Sequence, residues 1–374
     1  MPMSPPATTT NLLGLPRPEL ERFVAELGSK PFRARQLMQW VYKRSEAAFE
    51  CMTDLAKDFR TELAERACVR PPEIITTQHS ADGTRKWLLR ADGSQAFEMV
   101  YIPEPDRATL CISSQVGCAL DCAFCSTAQQ GFNRNLTTAE IVGQVWLANR
   151  ELAGTVADLA RERAVTNVVL MGMGEPLANF RNVVPALDIL LDDFGFDLSR
   201  RRVTLSTSGL VPQIYKLAER SNVALAVSLH APDDELRNEL VPINRRHPIA
   251  ELLEACWHYI DERNGRSVTF EYVLLDGVND SRAQALKLAR LLAGHPAKVN
   301  LIPFNPFPGT RFRRSTPEAV QHFRDELIRR GVLATVRRTR GDDIDAACGQ
   351  LAGRVIDRTT VRLGSRTIGV AVQP

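Results

Sequence analysis

Three cysteines stand close together in Cys118-Ala-Leu-Asp-Cys122-Ala-Phe-Cys125, the densest concentration of reactive side chains in the sequence. Thiolates at this spacing can hold three irons of a [4Fe-4S] cluster and leave the fourth iron open to an exogenous ligand. The competing readings are a zinc site or buried structural cysteines. A structural zinc takes four protein ligands, however, and no fourth Cys or His lies at a fitting distance along the chain. Two further cysteines invite chemistry. Cys111 lies seven residues before the cluster motif, and Cys348 stands in the polar, glycine-flanked segment DIDAACGQLAG, a poor place to bury a thiol. Cys51, Cys68 and Cys256 read instead as small buried hydrophobes. A glycine-rich run, Gly172-Met173-Gly174-Glu175-Pro176, permits close backbone approach to a ligand, although a plain strand-to-helix turn would look the same.

The elements that must position these residues follow from periodicity. Residues 1–72 carry apolar positions at three- and four-residue spacing in LPRPELERFVAELG, PFRARQLMQWVYKR and MTDLAKDFRTELAERA, which predicts a small helical domain. Residues 73–108 hold short β-type runs separated by Asp-Gly pairs at 82–83 and 92–93, read as a hairpin linker. From residue 109 to residue 340, β-rich runs (TLCISS, NVVLMG, RVTLSTS, ALAVSLH, VTFEYVLL, KVNLIPF) alternate with amphipathic stretches, the pattern of βα units on a parallel sheet. Six units are two short of a closed eight-unit barrel, so the expected class is α/β with an open, partial (βα)6 barrel. In such folds the chemistry lies at the carboxyl ends of the strands, where the motif residues fall. Residues 341–374 form a C-terminal segment carrying Cys348.

A chain of 374 residues with 44% hydrophobic content can supply one large and one small core. Eight cysteines are too few for a disulfide scaffold and suit a reducing compartment. No signal-type leader and no run of about 18 apolar residues is visible, so a cytoplasmic protein without a membrane span is expected. Net charge is only +3, but it is uneven. Residues 311–340 hold nine arginines against three acids (9 − 3 = +6), and residues 17–44 hold seven basic residues against three acids (7 − 3 = +4). Such patches suit a phosphate backbone, and equally a solvated helix face.

The cysteine spacing, with an aromatic residue before the last Cys, resembles the radical S-adenosylmethionine (SAM) superfamily. More closely, LCISSQVGCALDCAFCSTAQQGFNRNL, VLMGMGEPLAN, LSTSG, AVSLHA, LIPFNPFPG and ACGQL resemble the dual-specificity RNA adenine-C2 methyltransferases, from about Thr109 onward and more loosely over the N-terminal helices. The resemblance implies a [4Fe-4S] cluster on Cys118, Cys122 and Cys125. It implies SAM contacts from Gly174, Glu175, Ser206, Ser228, Leu229, His230 and Asn305, each of which could otherwise be ordinary strand-end structure. It further implies that Cys348 takes a methyl from one SAM, and that a radical from a second SAM activates this methyl for addition to C2 of an adenosine in 23S rRNA or beside the tRNA anticodon. Glu98 would then remove the C2 proton, and Cys111 would release the product through a transient disulfide with Cys348. The implied partners are 23S rRNA, tRNA and an electron donor such as flavodoxin. The sister activity, methylation of adenine C8 in 23S rRNA, shares the five cysteines and is the alternative. A non-catalytic RNA-binding iron–sulfur protein is a second alternative of a different kind.

Overall fold

The computed structural model describes residues 9–155, 163–263 and 267–359. Ten strands form one continuous sheet whose spatial order follows chain order. They are β1 (Ile74–His79), β2 (Arg85–Arg90), β3 (Ala96–Pro103), β4 (Ala108–Cys111), β5 (Asn167–Leu170), β6 (Val203–Thr207), β7 (Ala224–Ser228), β8 (Val268–Leu274), β9 (Ala297–Pro303) and β10 (Leu333–Val336). From β4 to β10 all pairs are parallel. Helices Thr138–Glu151, Phe180–Leu191, Val211–Arg220, Ile249–Arg263, Arg282–Leu292 and Pro317–Arg329 join them. This is the expected open barrel of six βα units, finished by the seventh parallel strand β10, the run VLATVRR of the sequence.

Local chemistry starts the helices where the periodicity places them. Thr137 and Glu140 form a reciprocal capping box before the first barrel helix, and Ser281 and Gln284 form another before the fifth. Strand β6 alternates buried and half-buried residues, whereas β8 is almost wholly buried, as a strand covered on both faces must be.

Residues 73–108, expected as a linker, are hydrogen-bonded into this sheet. Strands β1 to β4 pair antiparallel, and Val100 of β3 faces Cys111 of β4. The Asp-Gly pairs at 82–83 and 92–93 fall at the two turns between β1, β2 and β3. Periodicity also missed a short antiparallel pair, Gln115–Gly117 with Phe132–Asn135, which brackets the three clustered cysteines.

The N-terminal helices run over Arg17–Glu26, Arg33–Met38 and Lys57–Arg66. A short parallel pair, Thr10–Asn11 with Ala67–Cys68, ties the two ends of this unit together. Its Leu13, Val24, Leu37 and Met38 belong to the same apolar core as the barrel residues Trp146, Val183 and Leu205. Trp146 also donates its indole N–H to the Val41 carbonyl at 2.8 Å. Of the three cysteines read as buried hydrophobes, Cys256 is buried, Cys68 is half-buried and Cys51 is exposed. Cys51 ends a short 3-10 turn whose inward position is taken by Phe49.

Gly143, inside the helix Thr138–Glu151, is where the chain after the N-terminal unit presses on the barrel: a Cβ there would stand 2.6 Å from Pro72 Cδ and 3.2 Å from Pro71 Cα. A mid-helix Gly→Ala change normally stabilises by about 0.5–1 kcal/mol. Here it meets rigid proline atoms, and Gly143→Ala should instead cost about 1–3 kcal/mol in denaturant unfolding. A stabilised variant would show that this contact is loose.

Candidate active site

The carboxyl ends of β5 to β9 open onto a cleft of about 960 Å³, part of it open to solvent. It is lined by Cys118, Cys122 and Cys125 on one side and by Gly172, Gly174, Glu175, Ser206, Ser228, His230 and Cys348 on the others. The cysteine loop is fixed at several points. Cys118 donates its amide N–H to Gly131 O (2.7 Å), and Ala123 donates to Leu240 O (3.1 Å). Phe124 lies edge-on against the His230 ring with centroids 4.5 Å apart. Burial raises all three thiols, Cys122 to about 12.

Among the described residues, no three His, Cys, Asp or Glu side chains are grouped as for a single metal ion. Three thiols along one wall, facing an open cavity in place of a fourth protein ligand, fit a site-differentiated [4Fe-4S] cluster.

The glycine-rich run is zipped to the loop that leads into the cysteines. Ser114 and Gln115 donate their amides to Met173 O (2.9 and 3.1 Å), and Glu175 donates its own to Gln115 Oε1 (2.8 Å). Gly174 adopts φ +100°, and a Cβ there would fall 2.4 Å from the Gln115 side chain, so no other residue fits. The Glu175 carboxylate accepts amide N–H groups from Leu177 (3.0 Å) and Ser208 (2.8 Å), while burial pushes its pKa up to about 7.

His230, at φ +61°, accepts the Val273 amide N–H on Nδ1 at 3.0 Å, which leaves Nε2 to carry the ring proton. Burial and the nearby Arg237 hold its pKa down to about 3, so the ring is neutral. Leu229 is fully buried and contributes backbone: its amide donates to Glu271 O (3.1 Å).

Arg237 is the residue that sequence reasoning missed. In the polar stretch PDDELRNEL it reads as a solvated helix residue, yet it is fully buried. Its guanidinium donates to Leu229 O (3.1 Å), Ser208 O (2.8 Å), Ser228 O (3.0 Å) and Asn244 Oδ1 (2.7 Å). Burial lowers its pKa to about 10, still well above neutrality. One cation thus fixes the ends of β6 and β7, from which Ser206 and Ser228 reach the cavity.

Cys348 arrives on an irregular segment, residues 341–359, laid across the barrel mouth. Ser126 donates its amide to Gly349 O (2.8 Å), and Thr127 Oγ1 donates to Leu351 O (2.6 Å), so the segment is sewn to the cysteine loop. Asn305 donates to Cys348 O (3.2 Å), and its own oxygen accepts from Arg314 (2.7 Å) and Thr339 (3.3 Å). The structure therefore places Asn305 as a tether of the Cys348 segment, outside the lining of the large cavity. Glu98 is buried. Its carboxylate pairs with Lys86 (3.3 Å) and accepts the Ala352 amide N–H (2.9 Å), beside the Cys348 segment and likewise outside the cavity lining.

Cys111 is buried at the end of β4, its thiol pushed up to about 12 by burial and by the neighbouring Cys348. Arg337 was expected within a phosphate-binding patch. It lines the cavity together with Cys348, whose charge raises the arginine pKa, and in turn it pulls the Cys348 thiol down against burial.

The remaining arginines of residues 311–340 are largely neutralised. Arg313, Arg314, Arg324, Arg329, Arg330 and Arg340 pair with Asp276, Asp342, Asp325, Glu326, Glu326 and Asp82. Among the described residues, Arg311 and Arg338 are exposed without an ion pair. In the N-terminal patch Arg17 and Lys43 pair with Asp192 and Asp197 of the barrel, and so serve docking.

Residues 10–69 match the family described as ribosomal RNA large subunit methyltransferase N-terminal domain, and residues 112–289 match the radical SAM superfamily. The chain is 56% identical over 349 residues to the dual-specificity RNA methyltransferase RlmN of Alkalilimnicola ehrlichii, covering 93% of this chain and 95% of that one. It also resembles the crystal structure of a radical SAM methyltransferase from Sphaerobacter thermophilus, with a TM-score of 0.85 and 47% identity over 91% of this chain and 99% of the other.

Glu175 offers a test that needs no cofactor. The folded chain keeps its proton up to about pH 7, whereas the unfolded chain releases it near the ordinary value of 4.5, so stability falls as pH rises through that window. Relative to Glu175→Gln, cluster-free wild type should lose up to about 3 kcal/mol between roughly pH 5 and pH 8 in denaturant unfolding. Parallel pH profiles for the two proteins would contradict the assigned burial of the carboxylate.

Proposed function

Because the chain belongs to the dual-specificity RNA methyltransferase RlmN family of radical SAM enzymes, we propose that it methylates C2 of an adenosine in 23S rRNA and of the adenosine beside the anticodon in tRNA. The observation that carries this reading is that Cys348 opens onto the same cavity as Cys118, Cys122 and Cys125. A methyl acceptor and a cluster site share one small volume.

Adenine C2 is an electron-poor C–H carbon and cannot displace the methyl of SAM as a nitrogen or oxygen would. With the cluster on Cys118, Cys122 and Cys125 and SAM bound, the site would supply a one-electron route for taking hydrogen from an unactivated methyl group. Gly174, Glu175, Ser206, Ser228, Leu229 and His230 would hold SAM, the Glu175 carboxylate suiting its ammonium group. Asn305, just beyond β9, would contact SAM as well while holding Cys348 O.

Cys348, whose thiol burial raises and the neighbouring Arg337 only partly brings back down, would take the methyl by displacement and later carry the RNA as a thioether. Glu98 would accept the C2 proton, and Cys111 sulfur would attack Cys348 sulfur, forming a disulfide as the sulfur–carbon bond breaks, the product carbon keeping the electron pair and taking up a proton, in balance with the one Cys111 loses, to become the methyl group. Cys348 acts electrostatically on the Cys111 thiol, and Arg337 on both cysteines, which supports that pairing.

Residues 1–72 would contact RNA, with 73–108 joining them to the 109–340 barrel and 341–374 carrying the methyl-accepting Cys. Residues 1–8 and 360–374 lie outside the described structure. Among the described residues no helix is long and apolar enough to cross a membrane. A cytoplasmic setting and a flavodoxin-type electron donor complete the proposal, both suited to an RNA-modifying enzyme that consumes electrons.

Nucleoside mass spectrometry of rRNA and tRNA treated with the reconstituted enzyme should find 2-methyladenosine in both. Finding 8-methyladenosine would put the sister activity in its place. Cys118→Ala, Cys122→Ala and Cys125→Ala should each lose the cluster's visible absorbance and all methylation. Retained iron in all three would overturn the cluster assignment.

A further inference from the structure

The segment that carries Cys348 has almost no regular structure of its own: a single turn, Asp342–Ile344, and an isolated bridge between Arg354 and Ala96. Backbone that belongs to no ladder keeps its place through side-chain tethers. On the side facing the cysteine loop those tethers are the contacts from Ser126 and Thr127, with Asn305 holding Cys348 O itself. On the other side stands one charged pair. Lys86 of β2 and Glu98 of β3 are diagonal neighbours on a single face of the antiparallel ladder, since Leu88 lies opposite Glu98 and Lys86 opposite Val100. They are 6% and 8% exposed, so both charged groups are withdrawn from water.

The pair reaches both flanks of Cys348. Lys86 Nζ donates to Asp345 O at 3.2 Å, three residues before the cysteine, and forms an ion pair with the Glu98 carboxylate at 3.3 Å. The other oxygen of Glu98 accepts the Ala352 amide N–H at 2.9 Å, four residues after it. Glu98 is itself fixed along the strand, because Ser113 Oγ donates to its carbonyl at 2.5 Å. A bridge therefore runs from Asp345 through Lys86 and Glu98 to Ala352, closing the Cys348 loop at its base. Both contacts to the loop are charge-assisted, the stronger kind of hydrogen bond.

We propose that Lys86 is a positioning residue for Cys348: with Glu98 it clasps the two ends of the Cys348 loop and so sets where the sulfur stands when it receives its methyl. Glu98 then has a second task, distinct from accepting a proton, and a variant of Glu98 disturbs two steps at once. Lys86 touches neither SAM nor RNA in this account and acts only through the loop. The inference rests on the reading of Cys348 as methyl acceptor.

The test uses cluster-loaded full-length enzyme with SAM alone, neither reductant nor RNA, and follows S-methylation of the Cys348 peptide by mass spectrometry. Lys86→Met should slow this step by about tenfold or more at saturating SAM, with iron content and half-saturating SAM concentration unchanged, as expected of a misplaced acceptor. Lys86→Arg should restore most of the rate. Amide hydrogen exchange of the peptide spanning Ala352 should rise by about tenfold or more in Lys86→Met, through loss of the clasp.

Wild-type methylation with unchanged exchange would overturn the proposal. So would faster exchange with wild-type methylation, since the pair would then order the loop without placing the sulfur. Should Lys86→Met fail to fold, the double variant Lys86→Met/Glu98→Met removes both charges without stranding one, and the same two measurements apply. A wild-type enzyme that leaves Cys348 unmethylated contradicts the functional reading instead, and the exchange measurement then decides the clasp by itself.

Discussion

Parallel strands end with backbone groups that no neighbour within the sheet can satisfy, and this site is built on the groups that satisfy them. The decisive interaction is the buried Arg237 guanidinium. It collects the carbonyls of Ser208, Ser228 and Leu229 from two adjacent strand ends. Glu175 does the complementary work on the amides of Leu177 and Ser208, and Asn279 closes a third strand end by donating to the carbonyls of His230 and Val273. Buried polar groups left without partners would each cost about 1–3 kcal/mol. Meeting that demand with fixed side chains makes the barrel mouth rigid, and a rigid mouth is what holds cysteines from distant parts of the chain around one cavity.

The open edge of the sheet serves the same end. Because β1 to β4 continue the parallel sheet as antiparallel hairpins, Glu98 and Lys86 lie on the same surface as Cys111, whose partner in the ladder is Val100. The Cys348 segment can therefore be held from both sides, by the cysteine loop and by the hairpins. In the proposed function three tasks would fall to three parts of the chain: the cysteine motif for iron, the strand ends for SAM, and the C-terminal segment for the methyl. Hydrogen bonds onto the backbone of the Cys348 segment, from the Ser126 amide and from the Thr127 and Gln130 side chains, couple the first to the third.

Much of this was legible in the sequence because its signals are local. The six βα units, the Cys118–Cys122–Cys125 spacing, the Gly174 turn and the separate helical start each rest on neighbours along the chain. What could not be read depends on contacts between distant residues. Arg237 looks like any arginine on a polar helix, and only the fold shows that three carbonyls converge on it. The hydrogen bonds that join Asn305 to Cys348 O, Arg314 and Thr339 likewise link residues far apart in the chain, which no local spacing announces. The arginine-rich stretch of residues 311–340 suited a phosphate surface and equally a solvated helix face; in the fold Glu326 alone gathers Arg282, Arg329 and Arg330, and Arg337 lies beside Cys348. Net charge over a window counts residues without regard to their partners, so it overstates the free cationic surface.

In the proposed reaction Cys348 carries the methyl group to RNA and Cys111 sets the product free. The most direct measurement is to run Cys111→Ala holoenzyme with SAM, reductant and substrate RNA and to examine it on a denaturing gel. The account predicts a nuclease-sensitive, slower-migrating species, with RNA attached through Cys348, because nothing remains to attack the Cys348 sulfur. The iron content should match wild type, and the species should be absent when Cys348 is also replaced. Turnover at the wild-type rate, or loss of activity without any trapped species under conditions where wild type turns over, would contradict it.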